Sequence, residues 1–178
     1  MLFFTLLPIT IDSRQKNAVL GLTFVSTYLI PILVLFILKY FSFIKSYHVN
    51  SIKERKIPIL LMILIFYILG NTLYKNPFIR DLGTLFYATS LGLIIIYILF
   101  IFKLKTSLHL LSLGVSVGFF LMLSIIYVTS FLPLVYVLVL ISGVVASSRL
   151  YLKVHTPKEI YLGFFIGVIS PFVANYIL

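Results

Sequence analysis

In a chain of 178 residues, 62% apolar and only 10% charged, most soluble folds are excluded, because a globular domain carries about a quarter charged residues and about half apolar ones. The formal charge of +10, from 14 Lys and Arg against 4 Asp and Glu, would point to nucleic acid in a soluble protein; at a mean hydropathy of +1.20 the cations are read by their place beside a bilayer instead. The absence of cysteine excludes disulfides, thiolate metal sites and thiol nucleophiles.

Residues 1–11 are apolar but lack the basic stretch and small-residue cleavage site of a secretory signal, and they are too short to span. They read as an interfacial segment. Six apolar runs follow. The first, 18–41, is closed by Lys39 and Lys45 and leads into a polar loop over 45–56. The second, 57–74, has Pro58 at its start, where a missing amide hydrogen costs nothing. Lys75, Asn76, Pro77, Arg80 and Asp81 separate it from the third, 82–102, and Lys103 and Lys105 separate that from the fourth, 107–128. A short apolar loop joins the fifth, 131–146, and the segment 147–158 precedes the sixth, 159–177. Each run approaches the roughly 20 residues that cross a hydrocarbon core, and none alternates as barrel strands do. The expected fold is an all-α membrane protein: one integral domain forming a six-transmembrane-helix bundle. Gly114 with Gly118, and Gly163 with Gly167, either allow close helix approach in the fourth and sixth spans or are glycines scattered along lipid-facing helices.

Six spans place the loops after spans one, three and five on one face, and these loops hold most of the polar residues. The first has His48, Lys53, Glu54, Arg55 and Lys56; the second has Lys103, Lys105, Ser107 and His109; the third has Ser148, Arg149, Lys153, His155 and Glu159. Clustered cations with two histidines at helix ends are what phosphoryl transfer from an anionic lipid requires. Lys, Arg and amide hydrogens hold the phosphate charge, and the histidines divide nucleophilic and acid roles. Blander readings stand beside this one. Thr156-Pro157-Lys158-Glu159 is a helix start in which Glu159 closes a capping box. His109 fits an interfacial side chain and His48 a solvated loop residue, while Lys103, Lys105 and Lys153 suit head-group anchoring.

The run Ser148-Arg149-Leu-Tyr-Leu-Lys-Val-His155-Thr-Pro-Lys-Glu159 resembles the third signature of the type-2 phosphatidic acid phosphatase superfamily, with Glu in place of the final Asp. Thr106-Ser107-Leu108-His109 resembles the second signature in its Ser and His, and Lys53-Glu54-Arg55-Lys56-Ile57-Pro58 keeps the cations and the Pro of the first, though Arg55 is not adjacent to Pro58. The resemblance implies a lipid phosphatase that needs no metal or other cofactor. In that mechanism His155 is the nucleophile, Glu159 orients and charge-stabilises its imidazole, and His109 is the general acid. Arg149, Ser107, Lys53 and Arg55 bind the substrate phosphate. It further implies a membrane lipid phosphate monoester or pyrophosphate as substrate, the lipid bilayer and no nucleic acid as partner, and a bacterial inner membrane with the active site facing the periplasm. Positive-inside counting opposes that orientation, since ten of the 14 cations lie on the face bearing the histidines. The incomplete first signature leaves a rival, an inactive family member that binds or transports a lipid phosphate.

Overall fold

A computed structural model describes residues 12–43 and 52–178, without the side chain of Lys53. The expected interfacial segment, His48 and most of the first polar loop lie outside the described residues. Among those described there is no strand, and six helices are long and apolar enough to cross a membrane, as the hydropathy pattern predicts. They are α1 (Ser13–Tyr40), α2 (Ile52–Tyr74), α3 (Arg80–Leu99), α4 (Leu108–Ile126), α5 (Leu132–Tyr151) and α6 (Pro157–Ile177).

Three features depart from the expected runs, each for a local reason, one inside a helix and two at helix ends. Helix α1 contains a π-helical turn, Val25–Leu29, in which the Ile30 N–H bonds back to the Val25 carbonyl. This widened turn lies just ahead of Pro31, whose ring and missing hydrogen it accommodates. Helix α2 begins at Ile52, so Pro58 lies inside it and not at its first position as expected. Lys, Glu and Arg are good helix formers, so the helix starts in the charged stretch and Pro58 removes one rung of its ladder. Helix α5 runs five residues past its expected end at 146, taking in Ser147, Ser148 and Arg149. The Ser148 hydroxyl donates to the Val144 carbonyl at 2.9 Å, and Arg149 complements the negative end of the helix from its last turn.

By packing, the chain divides into two units, Met1–Phe86 and Tyr87–Leu178. In the first, Leu38 is buried among Val34, Leu35 and Leu61, and the Phe66 and Phe86 rings stack at 6.1 Å. The α2–α3 turn is tight. Asn76 accepts from the Phe78 N–H at 3.1 Å, and the Arg80 guanidinium lies 4.3 Å from the centre of the Tyr74 ring.

In the second unit α4 packs against both α5 and α6. Its contact with α6 is backbone to backbone. A Cβ on Gly163 would meet the Ser107 carbonyl at 2.6 Å, one on Gly167 the Leu111 carbonyl at 2.3 Å, and one on Gly118 the Val168 carbonyl at 2.1 Å. The order of these pairs makes the two helices parallel, so their N-termini lie at the same end. Of the two readings of the paired glycines, close approach is therefore the one realised. Gly114→Ala, whose Cβ would stand 2.2 Å from the Phe164 carbonyl, is expected to lower stability in detergent by about 1–3 kcal/mol. Gly143→Ala, on α5 with nothing within 4 Å, should be neutral or stabilise by about 0.5–1 kcal/mol. Unfolding of the two variants side by side checks the contrast, and equal stabilities would mean that the α4–α6 contact is not tight.

Candidate functional site

Three helix ends in the second unit carry the predicted residues, and each is shaped by its own sequence. Helix α6 opens on Thr156 as N-cap with Pro157 in its first position. The Thr156 hydroxyl accepts from the Glu159 N–H, and Glu159 Oε2 accepts from the Thr156 N–H, both at 3.4 Å. Helix α5 closes with the Lys153 N–H on the Leu150 carbonyl at 2.9 Å and the Val154 N–H on the Arg149 carbonyl at 3.2 Å. This closure puts Lys153 in the left-handed region, φ 53°, where a side chain costs about 1–2 kcal/mol. Helix α4 starts after Ser107, whose extended backbone, φ −85° and ψ 112°, makes it the N-cap residue.

His155 sits in the loop between α5 and α6, buried to 9% exposure. Its Nδ1 is 2.7 Å from Glu159 Oε2, the oxygen that also caps α6. The contact with His155 and the cap of α6 thus share a single atom of Glu159. A carboxylate at Nδ1 selects the tautomer with its proton there and the lone pair on Nε2. His155 and Glu159 line an open pocket of about 510 Å³ together with Leu150, Lys153, Val154, Thr156 and Pro157.

His109 is exposed on the first turn of α4, with Nε2 2.8 Å from Nη2 of Arg149. Guanidinium can only donate, so Nε2 is the acceptor and the ring is neutral with its proton on Nδ1. In this arrangement His109 does not hold a proton on Nε2. The structure therefore brings together Arg149 with His109, and His155 with Glu159, as side-chain pairs 40 and 4 residues apart.

Ser107 and Thr106 are fully buried, and their hydroxyls have no hydrogen-bond partner among the described residues. The Ser107 amide does not face outward. It donates to the Glu159 carbonyl at 3.1 Å, tying the start of α4 to the first turn of α6. Lys105, expected at the head groups, instead donates from Nζ to the Val154 carbonyl at 3.0 Å. These bonds join the second and third polar loops at one end of the unit, as the six-span topology predicts, while most of the first loop lies outside the described residues. Arg55 is half-buried in the second turn of α2 and belongs to the first unit; the side chain of Lys53 is not among those described. The geometry here thus concerns Ser107, His109, Arg149, His155 and Glu159. Sequence reasoning missed Lys105 as part of this cluster, since no local pattern marks a lysine that bonds a carbonyl 49 residues away. Among the described residues no three His, Asp or Glu side chains gather as a set of metal ligands would.

Compared with protein-family models, curated proteins and solved structures, the chain matches none of them. The family resemblance rests on the motif residues themselves.

Proposed function

We propose that the protein is a metal-independent integral membrane phosphatase of the type-2 phosphatidic acid phosphatase kind, hydrolysing a lipid phosphate monoester or pyrophosphate. The observation that supports this best is the pairing of His155 Nδ1 with Glu159 Oε2 at 2.7 Å within the Arg149-x5-His155-x3-Glu159 spacing. In the reaction, the lone pair on His155 Nε2 attacks phosphorus and the bond to the leaving oxygen breaks. That oxygen takes a proton from His109, and Glu159 stabilises the charge that develops on the His155 ring. Water then attacks the phosphohistidine, His109 accepts its proton, the P–N bond breaks and phosphate leaves. Arg149 bonds to His109 in the structure; an arriving phosphoryl group competes for that guanidinium, whose paired donors suit phosphate oxygens. Moving Arg149 onto the phosphate releases Nε2 of His109, which takes up a proton from water and so carries the acid proton.

The test is phosphate release by purified protein in detergent from phosphatidic acid, phosphatidylglycerol phosphate, undecaprenyl pyrophosphate and a lipid A phosphate, with and without EDTA. Release from at least one, undiminished by EDTA, is expected; a rate abolished by EDTA and restored by a divalent cation would defeat the metal-independent mechanism. A second reading, binding or transport of a lipid phosphate without turnover, is favoured by the Arg149–His109 bond if that bond persists when phosphate binds. Saturable lipid-phosphate binding with no release from any substrate would select it.

We place the protein in a bacterial inner membrane with its chemistry on the periplasmic side. Single cysteines at His48→Cys and Phe78→Cys, probed in intact cells with an impermeant thiol reagent, check the orientation. Labelling at 48 and protection at 78 is expected, and the reverse pattern would put the chemistry in the cytoplasm.

A further inference from the structure

His155 is held by its ring through Glu159, and the structure also holds it by its backbone. The residue responsible lies in another loop. Lys105, half-buried ahead of α4, donates from Nζ to the Val154 carbonyl at 3.0 Å. That carbonyl and the His155 N–H belong to one planar peptide, so fixing the oxygen fixes the plane from which His155 departs. Two residues on, the Ser107 N–H bonds the Glu159 carbonyl at 3.1 Å. The stretch from Lys105 to Ser107 therefore grips the backbone of both members of the His155–Glu159 pair, and Thr106 between them is wholly buried. On the other side, Lys153 turns the chain into Val154 in a left-handed conformation, φ 53°, which a non-glycine residue adopts only where its surroundings impose it. An ammonium serving lipid head groups would point away from the protein. This one bonds main chain.

We infer that Lys105 is a positioning residue for His155, fixing the peptide before the nucleophile while Glu159 fixes its ring. The inference rests on the reading of His155 as the nucleophile, and its test is built so that the two fail separately. Lys105→Met keeps the length and apolar stem and removes the donor; Lys105→Arg keeps a donor. In Lys105→Met, kcat on the best lipid phosphate is expected to fall about 10–100-fold, the scale for a displaced reacting group, with KM changed by less than about twofold. The chain has three histidines, so NMR of histidine-labelled protein in micelles can follow each ring. The hydrogen-bonded Nδ1–H signal of His155 should broaden or vanish in Lys105→Met while the His109 signals stay in place, and Lys105→Arg should regain most of both the rate and the signal.

A raised KM with unchanged kcat would overturn the inference, because Lys105 would then be holding substrate. So would an unmoved His155 signal in folded Lys105→Met. If the wild type releases no phosphate from any lipid, the phosphatase reading falls but the His155 signal still decides whether Lys105 positions that ring. Should Lys105→Met not fold, Lys105→Gln, which keeps a donor but loses the reach, is judged by the same rate and signal.

Discussion

Replacing His155 by Gln is expected to lower phosphate release by at least about 10³-fold, because an amide has no lone pair able to form the P–N bond. The loss should fall on kcat. Arg149, the proposed phosphate ligand, is untouched, so substrate binding should survive. Glutamine can still donate toward Glu159, and the capping box of α6 depends on Thr156 and Glu159 rather than on His155, so the unfolding temperature should stay near that of the wild type. A direct chemical check accompanies the kinetics. With a lipid labelled on its phosphate, the wild type quenched in alkali should carry acid-labile label and His155→Gln should carry none. Residual turnover within tenfold of the wild type would remove His155 from the mechanism.

Glu159→Gln separates the proposed catalytic task from the helix cap, which would share one oxygen. A capping box accepts Gln as readily as Glu, so the start of α6 should persist, with at most about 0.3–1 kcal/mol lost from the helix-dipole interaction. What disappears is the negative charge facing the imidazole as it turns cationic, and kcat is expected to fall about 10²–10⁴-fold. Glu159→Asp gives the complementary case. It reproduces the residue usual in the family this chain resembles, but it draws the carboxylate back by about a bond length from an Nδ1 now 2.7 Å away. A displacement of about 1 Å can cost on the order of 100-fold in rate, so the Asp variant should also be slow. Full activity in Glu159→Gln with a lowered unfolding temperature would show that the carboxylate serves only its helix.

How much of this was legible beforehand depends on the distance over which each residue acts. The six long apolar helices follow from composition, because an apolar run of some 20 residues has few other solutions. The α4–α6 contact was visible as glycines four apart, and the two contacts of Glu159 as a His four residues before it and a Thr three before. Each of these signals lies within one or two helical turns. The end of α5 was not visible, because hydropathy stops at 146 while backbone hydrogen bonding continues through Arg149. Nor was the direct bond of Arg149 to His109, 40 residues apart: the six-span topology puts both on one face, but their contact depends on how α4 and α5 pack. The use of the Ser107 amide by the Glu159 carbonyl was hidden for the same reason. It requires α4 and α6 to be side by side, and no residue type announces a spent amide.

In the membrane setting proposed above, the glycine contact between α4 and α6 would also bear on how the protein tolerates different bilayers. A bilayer thinner or thicker than a helix is met mostly by tilting, and two helices that touch through side chains can tilt separately by repacking them. Helices in contact through their main chains have no such slack. The starts of α4 and α6, carrying Ser107 and Glu159, would stay in register as the acyl chains lengthen or shorten, and the pair would lean as one rod. Bilayer thickness would then set how deep the starts of α4 and α6 lie relative to the head groups without altering the distance between them.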